Sequence, residues 1–377
     1  MEQELWLRLL LAPKIGPVRA QTLISHYGTI SSLFDIVDGR ETEKDEAEAL
    51  HLDIIEVLRS SSTKKRVKDI IVWCEKHQVE IVTLDDTRYP QLLKETNAAP
   101  MLLFALGDVG LLQSKCIAFV GKRDPDTYGK ESGQKLVGEC VALGYTIVSG
   151  LAYGIDSLSH QVTLNRKGKT IAVMATGIDT IYPATNRELA KEIQKEGLII
   201  TEHPPGVRGE PYRFIQRNRI ISGLCRATVV VQAGKKSGSL ATARFCLEQG
   251  RDLFATPGPI INGNNSGNNH LLLQGAAPAL SGKEIAEYIE GASTVNELEV
   301  STTNIVQPQQ ERLKLLPKLS TEEQALLDVL PIQGSMSIDD ICEKLTLPLP
   351  AISSTLFTLE MLGVVEMSAG NCYKRSI

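Results

Sequence analysis

An α/β protein built on a doubly wound, mostly parallel sheet is what this 377-residue chain predicts, and three observations carry the prediction. From about residue 70 onward, short apolar runs rich in β-branched residues recur at 80–84, 102–106, 116–120, 145–149, 170–175, 198–201, 228–232 and 252–256. The last six are each followed by a loop and then a stretch with helical spacing. The runs are apolar throughout rather than alternating, as strands covered by helices on both faces must be.

The flanks follow other patterns. Over residues 1–65, Leu5, Leu9 and Leu10, then Val18, Leu23 and Ile24, then Leu33, Ile36 and Val37 fall at helical intervals, punctuated by Pro13, Gly16, Pro17 and Gly28. The turn Lys14-Ile15-Gly16-Pro17 is similar to the hairpin of helix-hairpin-helix modules, whose backbone N–H groups hold a DNA phosphate, although a glycine usually stands where Lys14 is. A small bundle used for packing or protein contact is the other reading. A charged joint over 60–66 leads into the sheet domain, 66–290. Residues 291–316, with Ser301-Thr302-Thr303-Asn304 and Gln307-Pro308-Gln309-Gln310, read as a flexible linker.

Residues 317–377 form a separate unit, with helical patterns over 321–330, 338–345 and 351–362 and strand-like pieces at 364–367 and 371–375 around Ser368-Ala369-Gly370. Three helices and a terminal ribbon make a winged helix. Its third helix, 351–360, contains no Lys or Arg, which favours protein contact over DNA reading.

Composition excludes several classes. Seven scattered cysteines with no C-x-x-C pair and no histidine cluster read as reduced, mostly buried thiols in a cytoplasmic protein, with neither disulfides nor a zinc site. Glu2 and Glu4 precede the first apolar run, so the basic start of a signal peptide is missing, and no stretch approaches the roughly 20 apolar residues of a membrane span. No G-x-G-x-x-G follows a strand and no G-x-x-x-x-G-K-[ST] occurs, so no nucleotide cofactor is expected.

Charge singles out one segment. The chain carries a net −5, yet residues 206–258 hold nine Arg or Lys against three Asp or Glu, a local +6 that leaves −11 for the rest. A basic island in an acidic protein marks an anion site, here of a size suited to a polyanion. In a doubly wound sheet the loops leaving the carboxyl ends of the strands gather along one edge, where ligands bind. Those loops are 121–129, 149–156, 176–183, 201–206, 234–239 and 257–259, and every one carries glycine.

Arg217, Asn218 and Arg219 open a helix between two of these loops, beside Arg123, Lys235 and Lys236. Guanidinium groups grip phosphate bidentately, and Asn218 can donate to a base or a backbone oxygen. Phe214, one turn earlier, is either a stacking face for a nucleobase or a core residue. The acids Asp124, Asp126, Asp156, Asp179 and Glu202 lie in different segments without a supporting histidine or metal motif, which speaks against catalysis. Asp156 reads as a helix N-cap, His160 as a satisfied core residue and His203 as a residue shaping its loop.

Taken together, Ala118-Phe119-Val120-Gly121-Lys122-Arg123 with Tyr128-Gly129, 149–156 with His160, Phe214-Ile215-Gln216-Arg217-Asn218-Arg219-Ile220-Ile221, Ser237-Gly238-Ser239-Leu240 with Thr242-Ala243, and Ala255-Thr256-Pro257-Gly258 resemble the DNA-processing DprA/Smf family. The resemblance covers residues from about 70 to 290. It implies an extended Rossmann-like sheet between an N-terminal SAM-like or helix-hairpin-helix-like domain and a winged helix. It also implies a non-enzymatic binder of single-stranded DNA that protects incoming DNA in natural transformation, or competence, and loads the RecA recombinase onto it, as a homodimer. The family's DNA pocket carries over to Arg123, Ser149, Gly150, Phe214, Arg217, Asn218, Arg219, Lys236, Ser237 and Gly238; Lys235 joins it on charge alone. Lys122 departs from the family, which commonly has a small hydroxyl residue there. The rival reading is a Rossmann-like nucleoside phosphate hydrolase, whose P-G-G-x-G-T loop is absent. A winged-helix transcription regulator is a third.

Overall fold

Eight of the nine strands of the central sheet lie where apolar runs predict them. The structure, a computed structural model, describes residues 2–39, 52–261, 263–297, 320–331 and 336–345, together with 352, 355, 356, 359, 365–368 and 372–375. Two compact units emerge, Met1–Asn296 and Glu297–Ile377.

The first unit opens with helices α1 (Glu2–Leu10), α2 (Pro17–Tyr27), α3 (Ile30–Val37), α4 (Leu52–Arg59) and α5 (Ser61–Lys76). Strand β1 (Glu80–Thr83), the short α6 (Gln91–Lys94) and β2 (Leu102–Gly107) follow. The alternating part runs β3 (Cys116–Val120), α7 (Thr127–Ala142), β4 (Thr146–Ser149), α8 (Ile155–Asn165), β5 (Thr170–Val173), α9 (Arg187–Glu196), β6 (Leu198–Thr201), α10 (Pro211–Gly223), β7 (Ala227–Val230), α11 (Ser239–Glu248) and β8 (Asp252–Ala255). It closes with α12 (Ser266–Leu273), the two-residue β9 (Ala277–Pro278) and α13 (Gly282–Glu297).

Strand order is β1-β2-β6-β5-β4-β3-β7-β8-β9. All neighbours from β6 through β9 pair in parallel, whereas β2 runs antiparallel to both β1 and β6. Every residue of β3 is buried. Its side chains alternate between two cores: Ile117 and Phe119 join one, Ala118 and Val120 the other. That is the period of two expected of a sheet covered on both faces.

The larger core also takes in Trp6, Leu7, Leu9, Leu23, Leu33 and Phe34, so the N-terminal helices share it with the sheet. Trp6 Nε1 donates to Asp85 (3.1 Å) and Gln3 Nε2 to the carbonyl of Ile81 (2.9 Å), fastening α1 to β1. The joint expected at 65/66 falls inside α5, which runs unbroken from Ser60, whose hydroxyl caps it by accepting from the Thr63 amide. Lys14 sits at φ 63°, the left-handed conformation glycine adopts without strain, which explains why hairpins of this kind carry glycine there. At the other end, α13 continues to Glu297, past the start of the expected linker, and residues 298–319 lie outside the described ones.

The second unit holds helices Thr321–Val329 and Ile338–Leu345, and a three-stranded sheet in the order Met336–Ser337, Cys372–Arg375, Val365–Ser368. Ser320 and Glu323 form a reciprocal capping box on the first helix. Leu326, Ile341, Ile352, Leu356, Leu359 and Val365 make its core. Of the third helix expected over 351–362, only 352, 355, 356 and 359 are described and all are helical; residues 369 and 370 of the expected turn lie outside.

Candidate functional site

Between β3 and β7 the chain reverses its direction of travel across the sheet. Successive strands β3 to β6 step one way, and β7 to β9 step the other, so the loops leaving β3 and β7 diverge and open a crevice. A cleft of about 560 Å³ occupies that point. Its walls come from the loop after β3 (Gly121, Lys122, Arg123), the flank of α10 (Phe214, Ile215, Arg217, Asn218, Ile221) and the loop into α11 (Gly234, Lys236, Ser237, Gly238). Helix α11 starts here with Gly238 at its N-cap and no side-chain cap, so its positive dipole end faces the cleft.

The loops are held by close backbone approach. A Cβ on Gly154, which sits at φ 75°, would lie 2.3 Å from the Lys122 carbonyl oxygen and 2.5 Å from that of Arg123, so only glycine lets the loop after β4 nest against the loop after β3. The Ile155 amide then donates to Lys122 O at 3.2 Å. Asp126 caps α7, accepting from the Gly129 amide (3.0 Å) and also from Gln232 Nε2 (2.8 Å) and Asn264 Nδ2 (2.7 Å). The Gly129 bond leads the causes that lower its carboxyl below the usual value. Lys122 donates its ammonium to Asn264 Oδ1 at 2.9 Å, so this departure from the family pattern is tied into the same network.

Arg217 forms the floor. It is 5% exposed, and its Nη1 donates to the carbonyl of Gly150 (2.6 Å) and to that of Val173, while Nε donates to Asn218 Oδ1 at 3.2 Å. The Gly150 carbonyl starts the loop beyond β4 and the Val173 carbonyl ends β5, so one guanidinium ties two strand exits together. Burial lowers its pKa to about 10, against the pull of Asp156 and with the push of Arg123, and it stays charged at neutral pH. Asp156 is also buried; burial raises its carboxyl above the usual value and Arg217 draws it back. Beneath them His160 is fully buried, and burial, then Arg217, lowers its pKa to about 3. It is a core residue as expected but only half satisfied: Nδ1 meets Thr170 Oγ1 at 2.7 Å, while the buried Nε2 has no partner among the described residues. Asp156, by contrast, stands in the first turn of α8, whose N-cap is Gly154.

Of the residues singled out from sequence, the cleft gathers Arg123, Phe214, Arg217, Asn218, Lys236, Ser237 and Gly238. Gly150 borders an adjoining notch, and Lys235 is exposed on the same loop without lining the cleft. Ser149 and Arg219 do not line it. Ser149 is fully buried at the end of β4 and donates its hydroxyl to Phe119 O at 2.7 Å. Arg219 points to the opposite side of α10, where it pairs with Glu202 at 2.5 Å inside a second cavity of about 410 Å³ under α1 and the α1–α2 turn. His203 lines that cavity too. Sequence reasoning missed Tyr153 and Tyr182, half-exposed rings beside Phe214; an aromatic set among the glycines of an edge loop was the available signal.

Fold and cleft define an α/β protein with a cationic ligand crevice at the switch point of a doubly wound sheet. The family model described as DNA recombination-mediator protein A matches residues 80–290, and a DprA winged helix domain matches 310–371. The chain belongs to the DNA-processing protein A (DprA/Smf) family. Protein Smf of Synechocystis is 31% identical over 99% of both chains, and DNA processing protein DprA of Bacillus subtilis is 42% identical over 56% of this chain and 71% of its own. Among solved structures, DprA of Streptococcus pneumoniae matches with a TM-score of 0.63 at 32% identity, covering 74% of this chain and 94% of that one. DprA of Helicobacter pylori, solved for its single-stranded DNA binding mode, matches with a TM-score of 0.50 at 29% identity, covering 57% and 97%. Among the described residues no helix is long and apolar enough to cross a membrane.

Proposed function

We propose that the cleft at the β3/β7 switch point binds single-stranded DNA without altering it, protecting incoming strands during natural transformation and presenting them to the RecA recombinase. The observation that carries this reading is the division of labour in the cleft. Arg217 fixes its floor, exposed Arg123 and Lys236 stand at its rim, glycines let backbone approach, and Phe214 supplies a ring. Single strands offer phosphates and base faces together, which suits such a trough, whereas a duplex hides its bases. The relatives named above, one of them solved for its single-strand binding, support the transfer. A homodimer and a cytoplasmic setting belong to the same reading.

The hydrolase alternative needs a carboxylate and a base free to act on water. Asp156 is buried against Arg217 and His160 is sealed beneath it, so neither is so placed. The test is a titration of the full chain with fluorescent oligo-dT and with a duplex of equal length, with and without RecA. Tighter binding of the single strand and faster RecA filament formation are expected. Equal affinity for both forms, or turnover of added nucleoside phosphates, would sink the reading.

A further inference from the structure

We propose that Tyr153 and Tyr182, with Phe214, form a second nucleobase-stacking step beside the cleft, taking the base next to the strand segment that lies in it. This rests on the single-strand reading above and specifies where a base goes. The notch is lined by Arg123, Gly150, Ala152, Tyr153, Tyr182, Pro183 and Phe214, and shares Arg123, Ala152 and Phe214 with the main cleft, so the two are continuous. Tyr153 is 45% and Tyr182 52% exposed. Tyr182 meets Phe214 at 5.1 Å between ring centroids, tilted by 60°.

Exposed rings are common on mobile loops, but these loops are pinned. Leu151 sits at φ 56°, a conformation that a leucine adopts only when its surroundings impose it. Around it, Arg217 holds the Gly150 carbonyl, Asn186 Nδ2 donates to Leu151 O at 2.9 Å, and Gly154 nests on the Lys122 and Arg123 carbonyls. The loop bearing Tyr182 is closed by Thr176 Oγ1 donating to Thr180 O at 2.5 Å, and the Gly206 amide donates to Asp179 at 3.0 Å. Half-exposed rings held still keep part of their surface open to water and offer a planar partner a preorganised face at little entropic cost. Arg123 lies between the two sites, where the phosphate joining two nucleotides would pass. The ligand is therefore a base attached to a phosphate backbone, not an isolated aromatic.

The experiment compares oligo-dT with an abasic oligonucleotide of the same length, titrated against the full chain and against the Tyr153→Ala/Tyr182→Ala and Tyr153→Phe/Tyr182→Phe variants over a range of salt. Stacking on one aromatic step is expected to contribute a factor of roughly ten in affinity. The alanine pair should lose about that factor for oligo-dT, keep wild-type affinity for the abasic strand, and keep its salt slope and melting temperature; the phenylalanine pair should behave as wild type. An alanine pair that binds oligo-dT like wild type, or loses both strands equally, overturns the stacking step alone. Wild-type protein that binds neither strand overturns the single-strand reading and the step with it.

Discussion

Arg217 and Arg219 are the same residue two positions apart on α10, and they do opposite things. Two residues along an α-helix turn the side chain by about 200°, so the pair faces two sides of the helix. One side is the floor of the cleft, where Arg217 grips backbone carbonyls. The other is a separate cavity, where Arg219 is held by Glu202. The comparison teaches that a run of cations in sequence is not a run of cations at a surface. Within the +6 segment, Arg217, Arg219 and Arg251 serve internal oxygen atoms, and the exposed charge at the cleft stands on loops, at Lys236 and, from outside that segment, Arg123.

The largest effect should come from breaking the floor. Arg217→Ala leaves the Gly150 and Val173 carbonyls without their donor and Asp156 without its compensating charge, a buried imbalance that costs about 3 to 5 kcal/mol. Chemical denaturation should show that loss, and Arg217→Lys should recover little of it, because a single ammonium cannot reproduce the fork. Arg219→Ala supplies the contrast. It strands Glu202 in the second cavity at a cost of about 1 to 3 kcal/mol, while oligo-dT affinity of the folded protein stays within about twofold of wild type. A large affinity loss with Arg219→Ala at unchanged stability would erase the distinction between the two faces.

A second effect follows from the same floor. Thr170 Oγ1 gives its only proton to Ile147 O at 2.7 Å, so the 2.7 Å contact with His160 makes Nδ1 the donor and leaves Nε2 unprotonated. Burial first, and then the cation of Arg217 beside it, disfavour a second proton, and the folded-state pKa is down at about 3 from 6.5. The unfolded chain therefore binds the proton first as pH falls. His160's contribution is intact above pH 6.5 and is lost between 6.5 and 3, by up to about 1.4 kcal/mol per pH unit. Asp156, shifted up by burial, opposes this trend, so the informative measurement is the melting temperature of His160→Asn against the parent across that window. The variant should lose less stability on acidification; parallel curves would show that His160 does not titrate as described.

The sheet was legible because burial on both faces writes eight apolar runs into the chain. The ninth strand was not: Ala277 and Pro278 pair beside Phe254 and Ala255 through two residues, too few to leave a period. The antiparallel setting of β2 also left no mark, since direction depends on pairing with β6, nearly a hundred residues away. At the site, glycines and cations were legible because each loop needs them locally. Ser149 was not, because its fate is fixed by the neighbouring strand's Phe119 carbonyl, and Arg219's depends on Glu202, which approaches from β6's far end. Residue type gives the chemistry available; the helix period and the strand order decide which side receives it.

The smallest effect on stability, and the most direct probe of the rim, belongs to Lys236. It is exposed in the loop before α11 and lines the cleft. Lys236→Ala should leave stability within about 0.5 kcal/mol of wild type, since among the described residues no buried group bonds to this exposed side chain. If its ammonium meets one phosphate, the slope of log affinity against log salt should fall by roughly 0.7 for a single strand, with Lys236→Arg restoring it. The abasic strand should lose affinity by the same factor as oligo-dT, because the lost contact is to backbone and not to base. This inverts Arg217→Ala, which should lower stability and leave the slope of the surviving folded protein nearly unchanged. If instead Lys236→Ala melted early and Arg217→Ala flattened the salt slope, the buried guanidinium would be the phosphate ligand and the rim lysine part of the scaffold.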